Sequence, residues 1–256
     1  LCVTLLTGMI LPTSAQEAFT VDHLAITIDV EEDGTYLVKE SYLLDFTQYR
    51  HGFYRNIPTK YEMQWTDEKG GSQTKNYYFP IDDISCGDSD TCDIDVDSGM
   101  VVIKIGDPDK TVIGLQKYTI SYRVHTRDLD VNGMQMLYWN LIGNGFDTTI
   151  NSMNYEIQMP KAFDASKISA YTGSYGSAFQ NLSVETKGNV IKGELLKPLY
   201  NYESATIMVP LEKDYFNFPP LPDYLLYALI ASGVIAIVAV VLFYRFGKDD
   251  EVVVTV

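Results

Sequence analysis

The sequence predicts an all-β protein, an antiparallel β-sandwich (one large or two stacked), followed by one transmembrane α-helix. Two observations carry this prediction. Segments that alternate apolar and polar residues recur about every 8–12 residues, with Gly, Pro, Asn and Asp between them and no long amphipathic helix. Residues 224–244 then form an apolar run without charge or proline.

The chain opens with an apolar stretch that ends in small residues at Ser14 and Ala15. An apolar core, then small residues, then polar sequence is the pattern of the back half of a secretory signal peptide. We therefore expect a partial signal peptide at 1–15 and an exported β domain at 16–213.

The first alternating segments predict a hairpin. Apolar residues alternate over 21–30 and again over 36–44, and Asp33-Gly34 between them supplies the positive φ of a tight turn. Later alternating segments end at turn residues in the same way. The further expected strands are Met100–Ile105, Tyr118–His125, Met136–Ile142, Ile150–Met159, Ile168–Tyr171, Asn181–Thr186, Val190–Leu195 and Ala205–Leu211.

Two boundaries follow from composition. Residues 160–166 are the most plausible seam if there are two sandwiches, because the strands after them are shorter and more polar. Residues 214–223 contain adjacent prolines and predict a stiff proline-rich spacer.

The apolar run at 224–244 predicts a membrane span. At about 1.5 Å per residue it covers roughly 30 Å, the thickness of the hydrocarbon core of a bilayer. Arg245 and Lys248 follow it, and the positive-inside rule puts basic flanks in the cytoplasm. We expect a cell-membrane protein with an extracytoplasmic N-terminal domain and the start of a cytoplasmic region at 245–256.

The net charge of −15 is concentrated in one segment. Between Asn76 and Ile103 the chain has seven aspartates and no Lys or Arg. An acidic surface repels phosphate backbones, which excludes nucleic acid as an expected partner.

Cys86 and Cys92 lie in this acidic segment. In an exported chain a close pair predicts a disulfide. A structural zinc site needs about four ligands, and the histidines are distant in sequence.

Asp93, Asp95 and Asp97 have the spacing of the first ligands of a calcium loop. The positions that would hold Gly and Glu in such a loop hold Ser98 and Lys104 instead. On a strand the three aspartates would share the solvent face, with the residues between them pointing inward. We expect no cofactor, with calcium the one candidate.

The segment RHGFYRNIP at 50–58 suggests a binding spot. Arg50, Tyr54 and Arg55 could hold an anionic or sugar ligand. The alternative, which we favour, is that an arginine here pairs with a carboxylate such as Glu40 or Asp45 and braces the fold.

Tyr138 and Trp139 could stack on glycans, although packing in the core is the favoured interpretation.

The residue patterns that would indicate catalysis are weak. No Gly-x-Ser-x-Gly motif is present, and His23, His51 and His125 are better explained as structural or surface residues. No carboxylate pair stands out for glycoside hydrolysis, so we expect no enzyme.

Several segments resemble the bacterial membrane-protein family labelled domain of unknown function 2207. They are DGTYLVKESYLLDF, FYRNIP, VVIKIGDPDKTVIGLQKYTISYRV, LYWNLIGNGF and RFGKDDEVVVTV. The resemblance implies a signal peptide, an extracytoplasmic β domain, a membrane helix, a cytoplasmic segment and further membrane helices. It supplies no catalytic residues, and the cysteine pair is not part of the pattern.

We therefore expect a membrane-anchored extracytoplasmic binding or scaffolding module of the bacterial cell envelope. One alternative is an envelope glycan-binding accessory or a glycan-acting enzyme. Another is a sensor or assembly subunit of a membrane complex. The expected partners are the lipid bilayer and an envelope protein or glycan.

Overall fold

A computed structural model describes residues 17–66, 69–87, 91–126, 130–131, 134–174, 176–177, 179–218 and 224–247. The signal peptide expected at 1–15, residues 219–223 of the spacer, and residues 248–256 lie outside the described residues. The chain divides into two compact units, Leu1–Phe218 and Pro219–Val256.

The predicted all-β class with one long apolar helix is confirmed. The described elements also include a short 3-10 turn at Ala165–Lys167. The strands and the helix are β1 (Phe19–Val30), β2 (Thr35–Arg50), β3 (Phe53–Pro58), β4 (Lys60–Thr66), β5 (Ser72–Tyr78), β6 (Ile81–Cys86), β7 (Cys92–Asp97), β8 (Met100–Ile105), β9 (Val112–His125), β10 (Asp130–Val131), β11 (Met134–Ile142), β12 (Met153–Gln158), β13 (Ser169–Gly173), β14 (Glu185–Lys187), β15 (Val190–Glu194), β16 (Ser204–Pro210) and α1 (Tyr224–Phe246).

One layer of the sandwich is a seven-stranded sheet in the order β14-β15-β12-β1-β2-β9-β6. The turn predicted at Asp33-Gly34 joins β1 to β2, and Gly34 has a φ of 81°. A register shift between Val21 and His23 explains why the buried positions of β1 run 21, 24, 26, 28 and 30. The extra residue of this bulge turns Val21 and Leu24 to the same face.

One pair in this sheet departs from the antiparallel pattern. β1 and β12 run parallel, from Leu24 opposite Met153 to Asp29 opposite Gln158. A parallel pair needs a long crossover, and here the chain from β2 to β11 supplies it. This stretch adds β2, β6 and β9 to the same sheet and its remaining strands to the other layer. Apolar and polar residues alternate along a strand in the same way whether the neighbouring strand runs parallel or antiparallel. The sequence therefore could not show this parallel pairing.

The second layer consists of three smaller sheets, β3-β8-β7, β4-β5 and β10-β11-β16-β13. The inward faces of both layers form one hydrophobic core. Trp139 of β11 packs in this core against Tyr36 of β2 and Tyr122 of β9, with ring centroids 6.1 and 6.4 Å apart. Residues on both sides of 160–166 belong to the same core, including Ile157 and Ile207.

Residues 53–97 form five strands, β3 to β7, which were not among the strands expected from the sequence. Several are short and half-covered, so their alternation is weak. In β5, for example, Tyr77 is the one buried residue among seven. Small sheets at the edge of a core bury too little of each strand to leave a clear periodic pattern.

Two glycines allow the chain to pass from one layer to the other. Gly52 and Gly106 have φ values of 138° and 135°. A Cβ on Gly106 would lie 2.0 Å from the backbone oxygen of His51, and one on Gly52 would lie 1.8 Å from that of Ile105. The start of β3 and the end of β8 can approach this closely because neither position has a side chain.

The β domain extends beyond its expected end at residue 213. Tyr215 and Phe216 are buried, and the Tyr215 hydroxyl donates to the Lys161 carbonyl at 2.6 Å. The Asn217 amide donates to the Glu32 carbonyl at 2.7 Å. Residues 214–218 are therefore packed onto the domain rather than part of a free spacer.

The second unit contains α1, which matches the helix expected at 224–244. It has 23 residues, and by length and composition it could cross a membrane. At about 1.5 Å per residue it is roughly 35 Å long.

Candidate functional site

The segment 50–58 separates into two faces of β3. Arg55 points into the core, where its Nη2 and Nε atoms donate to the two carboxylate oxygens of Glu40 at 2.7 and 2.9 Å. Glu40 is fully buried and Arg55 is 1% exposed. Arg55 is therefore too buried to contact a ligand. The buried pair of Arg55 and Glu40 joins the two layers of the sandwich.

Two tyrosines complete this network. Tyr122 donates to Glu40 at 2.7 Å, and Tyr42 donates to its other oxygen. Burial acts to raise the pKa of Glu40, but the charge of Arg55 and the hydrogen bonds together hold that pKa below its ordinary value. Burial and the neighbouring carboxylate raise the pKa of Tyr42 and Tyr122, so both hydroxyls remain donors.

Arg50 and Tyr54 remain at the surface. Both line a shallow pocket of about 290 Å³ at the point where β2 ends and β3 begins, together with Lys104. Tyr54 is exposed, and Arg50 lies at the end of its strand. The pocket is basic enough for an anion but presents few fixed polar groups.

The cysteine pair lies at disulfide distance. Cys86 ends β6 and Cys92 begins β7, and their Cα atoms are 5.9 Å apart. The bond joins the edge of the seven-stranded sheet to the β3-β8-β7 sheet.

The aspartates at 93, 95 and 97 lie on β7 and are exposed. Across the described ranges no group of three or more His, Cys, Asp or Glu side chains is arranged to hold a metal. Ile94 and Val96 are 42% and 64% exposed, so the expectation that they point into a core is wrong. They lie on the same face of the sheet as the buried residues of β8, but β7 extends past the edge of the core.

A polar groove on the outer face of the second layer is larger than the other pockets found among the described residues. Its volume is about 470 Å³, within the roughly 300–1,000 Å³ typical of small-ligand sites. The floor belongs to β11, β13 and β16, and further lining comes from β4 and from residues that follow β11 and β13. The floor residues are Tyr138, Asn140, Tyr171, Thr206 and Met208.

Strand pairing fixes the floor of the groove. Thr206 lies opposite Asn140 on one side and opposite Tyr171 on the other, so the three form a row across three strands. The Thr206 hydroxyl donates to the Asn140 side-chain oxygen at 2.7 Å. This bond directs the Asn140 amide group, and no described residue accepts a hydrogen bond from its nitrogen.

The two aromatic candidates of β11 separate by face. Tyr138 is half-buried and lines the groove, in edge contact with Tyr61 at 5.8 Å. Trp139 is 1% exposed and faces the core, so it cannot stack on a ligand. This opposition follows from the alternation of side chains along a strand.

The charge of the groove is nearly balanced. Lys60 and Glu62 of β4 are the charged lining residues, and Gln64 donates to Glu62 at 2.9 Å. Besides Pro58, Gly176 and Met208, the remaining lining consists of hydroxyl, amide and aromatic side chains, which bind neutral polar molecules.

Sequence reasoning missed Asn140, Tyr171 and Thr206. Each looks like an ordinary polar residue of an exposed strand face, and β11 is separated from β16 by more than sixty residues. The segment LYWNLIGNGF contained the one available signal, an asparagine two residues after an outward tyrosine.

Comparison with known proteins places this chain in a family. Residues 20–198 match the model described as Predicted membrane protein (DUF2207) N-terminal domain. The protein YciQ of Escherichia coli (strain K12) is 25% identical over 184 residues, a match that covers 70% of this chain and 28% of YciQ.

Solved structures share only a distant likeness. Native yeast LTA4 hydrolase gives a TM-score of 0.42 at 11% identity, covering 75% of this chain and 29% of that one. An M1 zinc metallopeptidase from Deinococcus radiodurans gives 0.34 at 8% identity, covering 77% and 43%. These scores are too low to support any inference about activity. The family match spans most of the β domain, and the chain belongs to the family of predicted membrane proteins with the DUF2207 N-terminal domain.

Proposed function

We propose that this chain is a membrane-anchored binding module of the bacterial cell envelope, with its β domain outside the cytoplasm and its ligand in the polar groove. The observation that carries the proposal is the row of Asn140, Thr206 and Tyr171 on a paired sheet, with the amide of Asn140 directed by a hydrogen bond. Side chains held by paired strands offer a rigid site that loses little entropy on binding.

Three features support the membrane topology. α1 is long and apolar enough to span a bilayer, and Arg245 lies in its last turn. A basic residue at that end favours a cytoplasmic C-terminal side. The cysteine pair at disulfide distance fits an oxidising compartment for the β domain.

The ligand we propose is a neutral glycan. Sugar rings present hydroxyl groups to amides and apolar faces to aromatic rings, and the groove offers both through Asn140, Tyr138 and Tyr171. One lysine and one glutamate in the lining do not favour a charged ligand. Binding rather than turnover is proposed because two-carboxylate hydrolysis needs a pair about 5–10 Å apart, and Glu62 is the one carboxylate among the lining residues that the structure describes.

Binding of neutral and acidic oligosaccharides to the full chain in detergent tests this proposal. We expect neutral oligosaccharides to bind, and Tyr171→Ala or Asn140→Ala to weaken binding by roughly tenfold. Tyr200→Ala is the matched control, because Tyr200 is exposed and does not line the groove. Binding that is unchanged in both groove variants while their melting curves stay normal would refute the assignment of the groove.

A further inference from the structure

The β7 strand is an edge strand of the β3-β8-β7 sheet. It pairs with β8 on one side, and no described strand pairs with it on the other. Its apolar side chains, Ile94 and Val96, are exposed although they share a face with buried residues of β8. A six-residue edge strand with exposed apolar side chains is a template on which another strand can pair.

The alternation of hydrogen bonds along β7 shows which of its peptide groups could pair with another strand. Gly106 donates to the Thr91 carbonyl, and Ser98-Gly99 forms a two-residue turn with φ values of 47° and 95°. In an antiparallel pair, residues that bond to the partner alternate with residues that do not. The peptide groups of Asp93 and Asp95 therefore face β8, while those of Ile94 and Val96 face outward.

The charge of the edge selects what can pair with it. Asp93, Asp95 and Asp97 line the other face of β7, and among them Asp93 lies opposite Lys104 of β8. A second copy of β7 paired antiparallel would bring aspartates next to aspartates, which is unfavourable. A strand that carries Lys or Arg at alternate positions would instead place positive charges beside them.

We propose that the β7 edge docks an extended segment of another protein in which basic and apolar residues alternate. The partner's backbone bonds to the peptide groups of Ile94 and Val96, its apolar residues cover their side chains, and its basic residues lie beside the aspartates. This is strand addition to a sheet edge. The Cys86–Cys92 pair ties the start of β7 to β6, which holds the edge in place before binding.

The test uses the full chain in detergent and a short fluorescent peptide that alternates lysine and valine. We expect saturable binding by fluorescence anisotropy at physiological salt. A peptide that alternates lysine and proline has the same charge but cannot form a strand ladder, and we expect it to bind at least about tenfold more weakly. Equal binding of the two peptides overturns the proposal, because it would show attraction by charge alone.

Two variants examine the edge directly. Val96→Pro removes an N–H that faces outward while leaving the bonds to β8, and we expect about a tenfold loss of affinity. Val96→Ala keeps that N–H and is expected to lose less. A Val96→Pro variant that binds normally, with unchanged circular dichroism, contradicts the proposal.

Charge is tested with Asp93→Asn/Asp95→Asn, for which we expect roughly three- to tenfold weaker binding and a smaller dependence on salt. The matched control, Asp29→Asn/Glu185→Gln, removes the same charge from exposed positions on β1 and β14. Equal losses in both double variants refute the edge as the site. Tyr171→Ala is expected to leave peptide binding unchanged, since the polar groove is a separate site.

Discussion

Arg55→Met is the sharpest test of how the two layers are joined. In the native domain, Arg55 gives the buried Glu40 two charge-assisted hydrogen bonds, of 2.7 and 2.9 Å. The variant keeps much of the side-chain volume but leaves a carboxylate in the core with two tyrosine donors and no positive charge. Removing one partner of a buried ion pair costs about 3–5 kcal/mol, and we expect that loss in the free energy of unfolding at neutral pH.

The pH dependence gives a second signature. In the wild type the lowered pKa of Glu40 adds stability above the unfolded value of about 4.3, and this stability is lost as pH falls through the folded pKa. Without Arg55, burial dominates and raises the pKa of Glu40. The variant therefore loses stability as pH rises from about 4.3 toward the raised folded pKa, so its deficit grows with pH.

Urea unfolding of the full chain in detergent, followed by tryptophan fluorescence, measures both effects. Adding Glu40→Gln to Arg55→Met is expected to restore more than half of the loss, because no buried charge remains and the amide oxygen still accepts a tyrosine hydrogen bond. Lys192→Met is the control, since its pair with Glu156 is exposed and contributes about 0–1 kcal/mol. A loss below about 1 kcal/mol in Arg55→Met, or a pH profile parallel to the wild type, would refute this reasoning.

Two further perturbations test the connections between layers. Gly106→Ala is expected to lower the free energy of unfolding by about 2–4 kcal/mol, because the new Cβ would meet the His51 carbonyl. The control is Gly145→Ala, which is expected to be near neutral because the space around Gly145 is open. Cys86→Ser/Cys92→Ser opens a loop that the disulfide closes over a separation of 6 residues. The chain-entropy relation predicts that the free energy of unfolding falls by about 2 kcal/mol. Reducing the wild type with dithiothreitol is expected to shift the urea midpoint by the same amount. An unchanged Gly106→Ala midpoint, or a double serine variant as stable as the oxidised protein, would count against these assignments.

The polar groove and the β7 edge show where sequence reasoning ended. From the sequence, packing in the core was the favoured interpretation for both Tyr138 and Trp139, but only Trp139 faces the core. Alternation along a strand puts neighbouring residues on opposite faces, but it does not show which face another layer covers. The same limit affected β7, where Ile94 and Val96 have the spacing of core residues but extend past the edge of the core. The sequence favoured an arginine of the segment 50–58 as the partner of a carboxylate such as Glu40 or Asp45, because a buried guanidinium needs a counter-charge. In the structure the arginine that is buried beside Glu40 is Arg55.

The sequence by itself determined the local features of this protein: alternating strands, the Asp33-Gly34 turn, the cysteine pair and the apolar helix. Each depends on residues that are neighbours in the chain. The tertiary structure alone decided the parallel pairing of β1 with β12 and the row of Asn140, Thr206 and Tyr171 that floors the groove. These features join segments far apart in sequence, and no local pattern records which strand becomes the neighbour of which.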